Sequence, residues 1–252
     1  MVLAINIGNT MIAAALGDRE SFTTTRILVL ASEAAEFTKR LEEFIETQAT
    51  KVSGAIIASV NPNMTEMVER VVTKLFGVSP FHVSTSLDMR LDLSNYDTSL
   101  IGSDRIAVCE AAICKYALPA VVFDFGTATT INVIDKSGKY LGGSILPGLL
   151  TGAKALAVNT ALLPLSGLTD QFEPVPLIGQ NTMECIQSGI IHGNAAMFDG
   201  MIERISQQIG EVSVIVTGGY AKYLLPMCRS AHVYDENLLI TGLYELYKGN
   251  VG

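Results

Sequence analysis

The sequence has few of the residues that build disulfide frameworks, metal sites and hydrolase triads. Its four cysteines include no Cys-x-x-Cys pair, and none has a histidine at zinc-finger spacing. We interpret them as reduced, mostly buried thiols of a cytosolic protein, ahead of metal ligands or disulfide partners. The three histidines are scattered, and no motif places a serine or cysteine nucleophile beside them, so a hydrolase triad has no support.

Long runs of basic or of apolar residues are absent as well. The formal net charge is −8 without a basic cluster, which argues against a nucleic-acid partner because binding a phosphate backbone requires clustered Lys and Arg. Each long apolar stretch is interrupted by Asp, Asn, Gly or Pro before it could cross a bilayer, so we expect no membrane span. The chain opens on a strand-like stretch without the features of a signal peptide, and we expect a cytoplasmic location.

What the sequence does contain is the pattern of a globular α/β protein. Hydrophobic residues make up 49% of the 252 residues and charged residues 17%, and the 22 glycines are spread along the chain. Asn63 is the expected cap of a helix that carries Met67, Val71 and Leu75 on one face. Short β-rich runs alternate with helical patterns, which predicts strands over 3–7, 12–16 and 54–59 and helices over 33–47 and 64–76.

The second half of the chain repeats the opening of the first. Residues 120–127 have the same order as residues 2–9: an apolar strand, a polar residue, an apolar residue, glycine and a small polar residue. A second β-rich run follows each stretch, which indicates an internal duplication. We therefore predict two domains, residues 1–118 and 119–252. Further predicted elements are a helix at 106–115, strands at 130–134, 139–145 and 212–216, a mainly helical stretch at 149–210 and a terminal helix at 236–247.

Each repeated stretch ends in a glycine turn that suits a phosphate group. Gly8 precedes Asn9 and Thr10, and Gly126 precedes Thr127. A glycine just past a strand lets the backbone bend back and turns several N–H groups toward an anion. Further donors are expected from the hydroxyls of Thr10, Thr127, Thr129 and Thr130.

Either glycine turn alone is more often an ordinary hairpin. Two equivalent turns from duplicated halves are expected to face each other across a cleft in which an extended triphosphate fits. The P-loop and the G-x-G-x-x-G fingerprint are both absent. A third turn, at Gly218 and Gly219, is in isolation a strand-to-helix connection. After two phosphate turns, we interpret it as a close backbone approach to adenine and ribose.

These three turns, in this order, resemble the actin, hexokinase and Hsp70 superfamily and, more narrowly, the type III pantothenate kinases. The resemblance implies two duplicated actin-like, ribonuclease H-like α/β domains with a nucleotide cleft between them. It also implies ATP-dependent phosphorylation of pantothenate to 4′-phosphopantothenate, the entry step to coenzyme A. The segments that carry it span essentially the whole chain: the first turn, 59–62, Tyr96 with 102–105, 124–130, 140–143, 147–148 and 178–182.

The resemblance implies roles for particular residues. Asp104 matches the catalytic base, which accepts the proton of the pantothenate hydroxyl as that oxygen attacks the γ-phosphorus. Without the motif, Asp104 beside Arg105 is more often a helix cap or a surface ion pair. The positions that match pantothenate-binding residues are Tyr96, Gly102, Ser103, Asp104, Arg105 and Thr182, and an arginine suits a substrate carboxylate.

ATP contacts and cations are implied in the same way. Asp124 matches a ligand of a monovalent cation, K⁺ or NH₄⁺, although a lone aspartate at a strand end is more often a turn residue. Mg²⁺ is expected with ATP, held mostly by phosphate oxygens and water. The family is dimeric, so a homodimer is implied too. The residues that match ATP contacts are Asn6, Ile7, Gly8, Asn9, Thr10, Met11, Ile12, Ala13, Thr127, Gly218 and Gly219.

Asn6 departs from the family pattern, which has aspartate at this position. An amide keeps its hydrogen bonds but loses the negative charge near the metal–phosphate centre, so the efficiency of transfer depends on this residue. Ser103 is a milder departure, because alanine is common there. One alternative is a non-catalytic member of the family that binds nucleotide or pantothenate as a regulator. Another is a different enzyme of the superfamily, such as a sugar kinase or phosphatase, although the short chain and residues 102–105 speak against it.

Overall fold

The chain folds into two compact units with one five-stranded sheet each. A computed structural model describes residues 1–18, 20–28, 34–48, 51–164 and 175–251. The first unit comprises Met1–Tyr116 and Asn237–Gly252, and the second comprises Ala117–Glu236. The break after Tyr116 lies beside the predicted boundary at 118, but the terminal segment groups with the first unit and not with the second half of the chain.

In the first unit, one mixed sheet is covered by helices on both faces. Strand β1 lies at the centre, antiparallel to β2 and parallel to β4, in the order β3-β2-β1-β4-β5. The strands are β1 (Val2–Ile7), β2 (Met11–Gly17), β3 (Phe22–Leu28), β4 (Gly54–Ser59) and β5 (Phe81–His82). The helices are α1 (Ala34–Glu46), α2 (Pro62–Phe76), α3 (Ser103–Lys115) and α7 (Leu238–Asn250), with a 3₁₀ turn at Thr98–Leu100.

Helix boundaries in this unit differ from prediction at two amino termini. The cap of α2 is Asn61, whose side chain accepts a hydrogen bond from the Met64 N–H at 3.3 Å, so the prediction of Asn63 is wrong. Pro62 lies inside the first turn, where its missing N–H costs no helical bond. Helix α3 begins at Ser103 and not at residue 106, which places Asp104 in its first turn. The buried face of α2 includes Met67 and Val71, as predicted.

The terminal helix α7 belongs to the first unit because its apolar side chains complete that unit's core. Ile240, Leu243 and Leu246 pack in one cluster with Ile106 and Ala107 of α3 and with alanines of the sheet. At Gly242 the two helices come so close that a Cβ would clash with the backbone of Ala107. Sequence order places α7 after the second unit, whereas packing places it on the first.

The second unit repeats the sheet topology of the first. Strand β6 is central, antiparallel to β7 and parallel to β9, in the order β10-β9-β6-β7-β8. This is the order of the first sheet, strand for strand, and it supports the duplication predicted from sequence. The strands are β6 (Ala120–Phe125), β7 (Ala128–Ile134), β8 (Tyr140–Pro147), β9 (Ser213–Thr217) and β10 (Val233–Tyr234). The helices are α4 (Leu149–Asn159), α5 (Thr182–Ile209) and α6 (Ala221–Leu224).

Strands β3, β5 and β10 were not predicted from the sequence; two of them are only two residues long. The predicted helix at 33–47 corresponds to α1, and its first residue lies outside the described part of the chain. All four cysteines are free thiols. Within the described ranges, no helix is both long and apolar enough to cross a membrane.

Candidate active site

The first glycine turn joins β1 to β2 at the end of the first sheet. The Gly8 N–H donates to the Met11 carbonyl at 2.9 Å, and Asn9 and Thr10 are exposed at the tip. Ile7 and Ile12 form the last strand pair before the turn, and both side chains are buried in the core. A ligand at this turn therefore meets backbone groups and the two exposed polar side chains.

Asn6 lies half-buried in the last part of β1, next to this turn. Its strand neighbours are Ala13 on β2 and Ala58 on β4. Because both neighbours are alanines, Asn6 is the polar side chain of this row of three residues. The row holds a neutral amide at the position where the resembling family has a carboxylate.

The start of α3 is tied to the end of β4 by a pair of hydrogen bonds. The Ser103 hydroxyl donates to the Ser59 carbonyl at 2.9 Å and accepts from the Ser59 N–H at 2.8 Å. The next residue, Val60, donates its N–H to the Ile7 carbonyl at 3.1 Å. These bonds place the amino terminus of α3 at the carboxyl ends of β1 and β4, next to the first glycine turn.

Asp104 stands in the first turn of α3 as a half-buried residue. Burial is the main influence on its pKa and raises it above the ordinary value of 3.8. The Arg105 N–H, which donates to Asp104 Oδ1 at 2.8 Å, and the Arg105 charge oppose that rise. The positive end of a helix also favours a negative group. The net effect is a carboxylate that gains affinity for a proton, which is what a general base needs.

Gly102 makes room for this carboxylate. A Cβ at position 102 would clash with Asp104 Oδ1 and would lie 3.6 Å from the Val60 side chain. Any larger residue there would push the Asp104 side chain out of its position. The sequence motif therefore needs glycine at 102 for a steric reason that is visible in the first unit alone.

A groove of about 690 Å³ lies beside the start of α3 in the first unit. Its walls include Ser59, Gly102 and Ser103, together with an imidazole–carboxylate pair in which His82 Nε2 lies 3.6 Å from Glu69 Oε2. The volume is in the range that small ligands occupy in proteins. A small ligand thus has space next to the residues that hold Asp104.

Three other residues predicted to bind substrate have different surroundings. Arg105 is buried, with 7% of its surface exposed. Tyr96 is half-buried in the segment before the 3₁₀ turn, and its N–H donates to the Leu93 carbonyl at 3.0 Å. Thr182 is exposed at the first position of α5 in the second unit, after the capping residue Asn181. The first unit therefore brings together the glycine turn and residues 102–105, while Thr182 is not part of that unit.

The second glycine turn joins β6 to β7 and is one residue shorter than the first. Phe125 pairs with Thr129, which leaves three residues between them, whereas four residues separate Ile7 from Ile12. The Gly126 N–H donates to the Ala128 carbonyl at 3.1 Å, and Thr127 is exposed at the tip. The two turns are equivalent in topology but differ in length.

The third turn packs directly against the second within the second unit. Gly218 has φ +98°, and a Cβ there would lie 2.5 Å from both Asp124 Oδ1 and the Phe125 backbone. The Tyr220 N–H donates to the Phe125 carbonyl at 3.0 Å. Only glycine fits this contact, whereas a Cβ at Gly219 would meet no atom within 4 Å.

Asp124 lies in a row of oxygen-bearing side chains at the end of the second sheet. It pairs with Thr130 on β7 and with Thr217 on β9, so the three side chains are on one face. A carboxylate and hydroxyls are hard oxygen ligands of the kind that alkali and alkaline-earth cations prefer. Among the described residues, no group of three or more His, Cys, Asp or Glu forms a metal site. A cation bound here would therefore take its protein ligands from this row of one carboxylate and two hydroxyls.

One expected phosphate donor is unsuitable. Thr129 has no exposed surface, and its hydroxyl has no hydrogen-bond partner in the described part of the chain. It alternates with Thr130 along β7, which directs it to the core face that also holds Ile131. The prediction that the Thr129 hydroxyl reaches a phosphate is therefore wrong, because the side chain points away from the surface of the sheet that bears Asp124.

The sequence analysis missed the Ser59–Ser103 pair as a structural unit. Both residues lie in segments that resemble the family, but their hydrogen bonds connect positions 44 residues apart. It also missed a cluster of Arg90, Glu110 and Glu245 behind the start of α3. The sequence offered one signal, the isolated glutamate Glu110 in the mostly apolar helix α3. A single glutamate in a helix is ordinarily a surface residue.

Comparison with known proteins gives a consistent result over the whole chain. A family model for type III pantothenate kinases matches residues 2–204. A type III pantothenate kinase of Thermus thermophilus is 35% identical over 257 residues, covering 99% of this chain and 99% of that protein. One from an Exiguobacterium strain is 32% identical over 255 residues and again covers 99% of both.

Solved structures of more distant proteins share the fold. Component A of (R)-2-hydroxyglutaryl-CoA dehydratase from Acidaminococcus fermentans matches with a TM-score of 0.55 at 12% identity, covering 97% of this chain and 95% of that one. A ROK family glucokinase from Streptomyces griseus, solved with glucose and AMPPNP, matches with a TM-score of 0.52 at 13% identity and 98% coverage of both chains. These neighbours support a fold of two actin-like domains.

The packing of Gly218 on Asp124 predicts unequal effects for two neighbouring substitutions. Gly218→Ala should destabilise the second unit by about 1–3 kcal/mol, because an alanine is strained at this φ and its methyl group displaces Asp124. ATP affinity should fall at least about tenfold, which corresponds to ~1.4 kcal/mol. Thermal unfolding and calorimetric titration with ATP measure both effects. Gly219→Ala is the matched control, and equal losses in the two variants would contradict the assigned role of Gly218.

Proposed function

The chain belongs to the type III pantothenate kinase family, and we propose that it transfers the γ-phosphoryl group of ATP to pantothenate with Asp104 as the base. It is a phosphotransferase of coenzyme A biosynthesis, and its relatives are named type III pantothenate kinases. What the family does not decide is which residues of this chain perform the reaction. The assignments below are therefore proposals, and they rest on the geometry of the two units.

The observation that carries the proposal is the position of the half-buried carboxyl group of Asp104. Its pKa is raised by burial, and it lies at a helix start fixed to the sheet edge that also holds the first glycine turn. A surface ion pair, the ordinary explanation of an Asp-Arg sequence, would leave the carboxylate in water with a low pKa. Burial that raises the pKa of a carboxyl group favours proton transfer over a purely structural role.

The reaction requires one proton transfer and one exchange of bonds at phosphorus. The pantothenate hydroxyl gives its proton to Asp104 while its oxygen bonds to the γ-phosphorus, and the bond to the β–γ bridging oxygen breaks to release ADP. The exposed tips at Gly8–Thr10 and at Thr127 bind phosphate oxygens. When bound, Mg²⁺ offsets negative charge on the β- and γ-phosphates. The remaining substrate contacts are assigned to Tyr96, Arg105 and Thr182.

The oxygen row around Asp124 supports a monovalent-cation site. Asp124, Thr130 and Thr217 would supply one carboxylate and two hydroxyl oxygens, a donor set that fits K⁺ or NH₄⁺ better than a metal that needs nitrogen or sulfur ligands. The Thr130 hydroxyl accepts from Asn132 Nδ2 at 3.2 Å, so its lone pairs are already oriented by the strand. A cation held by these three residues would connect β6, β7 and β9 beside the second glycine turn.

Turnover and a change at Asp104 test the central assignment. The wild-type protein with millimolar ATP, Mg²⁺, K⁺ and pantothenate should consume ATP in a coupled assay, and Asp104→Asn should lower kcat by about 10²–10⁴-fold. No turnover with pantothenate would contradict the function, and turnover with glucose in its place would favour the sugar-kinase alternative. Full activity of Asp104→Asn would show that Asp104 is not the base.

The same variant should be more stable than the wild type at neutral pH. Because burial raises the folded-state pKa of Asp104, its contribution to stability is fully present below the unfolded-state pKa and is lost as the pH rises through the folded-state pKa. Asp104→Asn removes this loss, so its stability advantage should appear at pH 7 and vanish toward pH 3. A lower stability of the variant at pH 7 would show that the carboxylate is stabilising, against the assigned effect of burial.

Asn6 is the residue on which the regulatory alternative depends. We expect Asn6→Asp to raise kcat about tenfold at saturating ATP, because a carboxylate at the end of β1 restores charge near the metal. Asn6→Ala is the control, since it removes both the amide and any charge. Measurable wild-type turnover that Asn6→Asp does not raise would show that the amide suffices. A wild type without turnover that Asn6→Asp activates would favour a regulatory protein.

An exposed apolar surface of the second unit supports a homodimer. Its outward side chains include Ile145 on β8, an edge strand of the sheet, at 64% exposed, and Leu162 beyond α4 at 91% exposed. Further exposed members are Leu141, Leu156, Val158, Leu177 and Ile178. Large apolar side chains left exposed in such number on one unit are typical of protein contact surfaces. A cytoplasmic location also stays a prediction.

Oligomeric state should respond to charge on this surface. Light scattering after size exclusion should give twice the chain mass at micromolar concentration, and the double variant Ile145→Glu with Leu162→Glu should give a monomer because two carboxylates would be buried unpaired. Val233→Glu, on the opposite edge of the same sheet and 49% exposed, is the control and should stay dimeric. A monomeric wild type would contradict the proposal.

A further inference from the structure

Residues 88–97 cross the outer side of α3 and α7 before the chain reaches Asp104. This 88–97 segment contains Tyr96 and leads into the 3₁₀ turn at Thr98–Leu100. Its hydrogen bonds include Tyr96 N–H to the Leu93 carbonyl at 3.0 Å, Ser94 N–H to Asp92 Oδ1 at 2.8 Å and Ser99 N–H to Asp97 Oδ1 at 3.0 Å. Side chains of α3 and α7 also hold the start of the segment on the first unit.

Glu110 of α3 accepts hydrogen bonds from two successive backbone N–H groups of the segment. One carboxylate oxygen, Oε2, accepts from the Arg90 N–H at 2.9 Å and from the Leu91 N–H at 3.0 Å, and Oε1 lies 3.1 Å from the same Arg90 N–H. The Glu110 side chain is only 3% exposed. A buried carboxylate that accepts two backbone N–H groups forms stronger bonds than a neutral acceptor would.

A single arginine side chain joins this carboxylate to a second one. Arg90 Nη1 lies 3.4 Å from Glu110 Oε1 and 3.4 Å from Glu245 Oε2 on α7, whose side chain is also 3% exposed. Cys114 adds no charge, because burial raises the pKa of its thiol to about 11. Two buried carboxylates thus share one half-exposed guanidinium. A buried charge cluster of this kind need not stabilise the fold, but it holds its residues in a defined geometry.

A second anchor holds the first residue of the segment. Asn250, the last residue of α7, accepts from the Asp88 N–H at 2.9 Å and donates to the Asp88 carbonyl at 2.9 Å. Leu91, whose N–H donates to Glu110, is 3% exposed. The segment is therefore fixed from Asp88 to Leu91, and Tyr96 follows five residues after the Glu110 contact.

We propose that Glu110 is a positioning residue for pantothenate: by holding the backbone of Arg90 and Leu91 against α3, it fixes Tyr96 relative to Asp104 at the start of the same helix. Glu110 lies six residues after Asp104 on α3, so one rigid helix carries the base at its first turn and the anchor of the substrate segment behind it. The inference rests on the proposed function, since it takes Tyr96 and Asp104 as substrate-facing residues. Glu110 touches no reacting atom and acts only through the segment.

Glu110→Gln tests this role with little change in shape. The amide has one acceptor oxygen and no charge, so the bonds to Arg90 and Leu91 weaken while the side-chain volume is kept. The KM for pantothenate should rise about tenfold, whereas kcat and the KM for ATP should stay within about twofold of the wild type. A merely structural role would lower the melting temperature and the active fraction without a selective effect on pantothenate.

Matched variants separate the segment from the charge cluster. Glu245→Gln removes an equally buried charge that meets the Arg90 side chain, and it should leave the KM for pantothenate within about twofold. Asn250→Ala loosens the segment at Asp88 without changing a buried charge, and it should raise that KM about two- to threefold even if Glu110→Gln does not fold. Steady-state kinetics and thermal unfolding are measured for every variant beside the wild type.

The outcomes distinguish the two levels of the account. A wild type that turns over pantothenate, with an unchanged pantothenate KM in both Glu110→Gln and Asn250→Ala, would overturn the inference and leave the proposed function standing. An equal rise in the KM for ATP and for pantothenate would overturn it too, because the effect would then not be specific to the substrate segment. A wild type without turnover would overturn the proposed function and this role together.

Discussion

The hydroxyl of Ser103 connects the start of α3 to the end of β4, and the first half of the candidate site depends on that connection. Its two bonds with Ser59 fix the amino terminus of the helix at the end of β4. Gly102 is then held where a larger residue would collide with the Asp104 carboxylate. The same end of the sheet carries the first glycine turn through Val60 and Ile7. Fixing one helix start thus places a base, a phosphate turn and a groove in the same part of the first unit.

The partial burial of Asp104 disfavours its charged form, and this explains why its position must be fixed by neighbouring residues. Taking a carboxylate out of water disfavours its charged form, and neither the helix end nor Arg105 reverses the resulting rise in pKa. A group destabilised in this way keeps its geometry only if its surroundings are rigid. The tight α3–α7 contact at Gly242 and the buried bonds of Glu110 supply rigidity from behind. In the second unit, the packing of Gly218 against Asp124 supplies an equivalent constraint on the second turn.

The sequence predicted local patterns well and long-range packing less well. The central strands and the duplication followed from alternation and from the repeated order at residues 2–9 and 120–127, because such patterns are local. The cap of α2 was misplaced by two residues because asparagine, a residue type that favours the cap position, occurs at both 61 and 63. Only the backbone geometry shows that Asn61 is the cap. The terminal helix was assigned to the second domain although it packs on the first, since its apolar face fits α3 and this fit has no local signal.

The candidate site divides in the same way. Residues 102–105 and the turns at Gly8 and Gly126 were found from motif and resemblance, while the burial of Thr129 and the anchoring by Glu110 required coordinates. Thr129 and Thr130 are adjacent and chemically alike, and only the strand alternation separates a core hydroxyl from one on the face of Asp124. Glu110 has no motif, and its importance comes from backbone partners 19 and 20 residues away.

The most direct measurement of the central claim is a crystal structure of the protein with pantothenate and a non-hydrolysable ATP analogue. The account predicts that the primary hydroxyl of pantothenate lies about 2.6–3.2 Å from a carboxylate oxygen of Asp104, on the side that faces the γ-phosphorus. It would be contradicted by a bound pantothenate whose hydroxyl meets another group while Asp104 contacts only protein atoms.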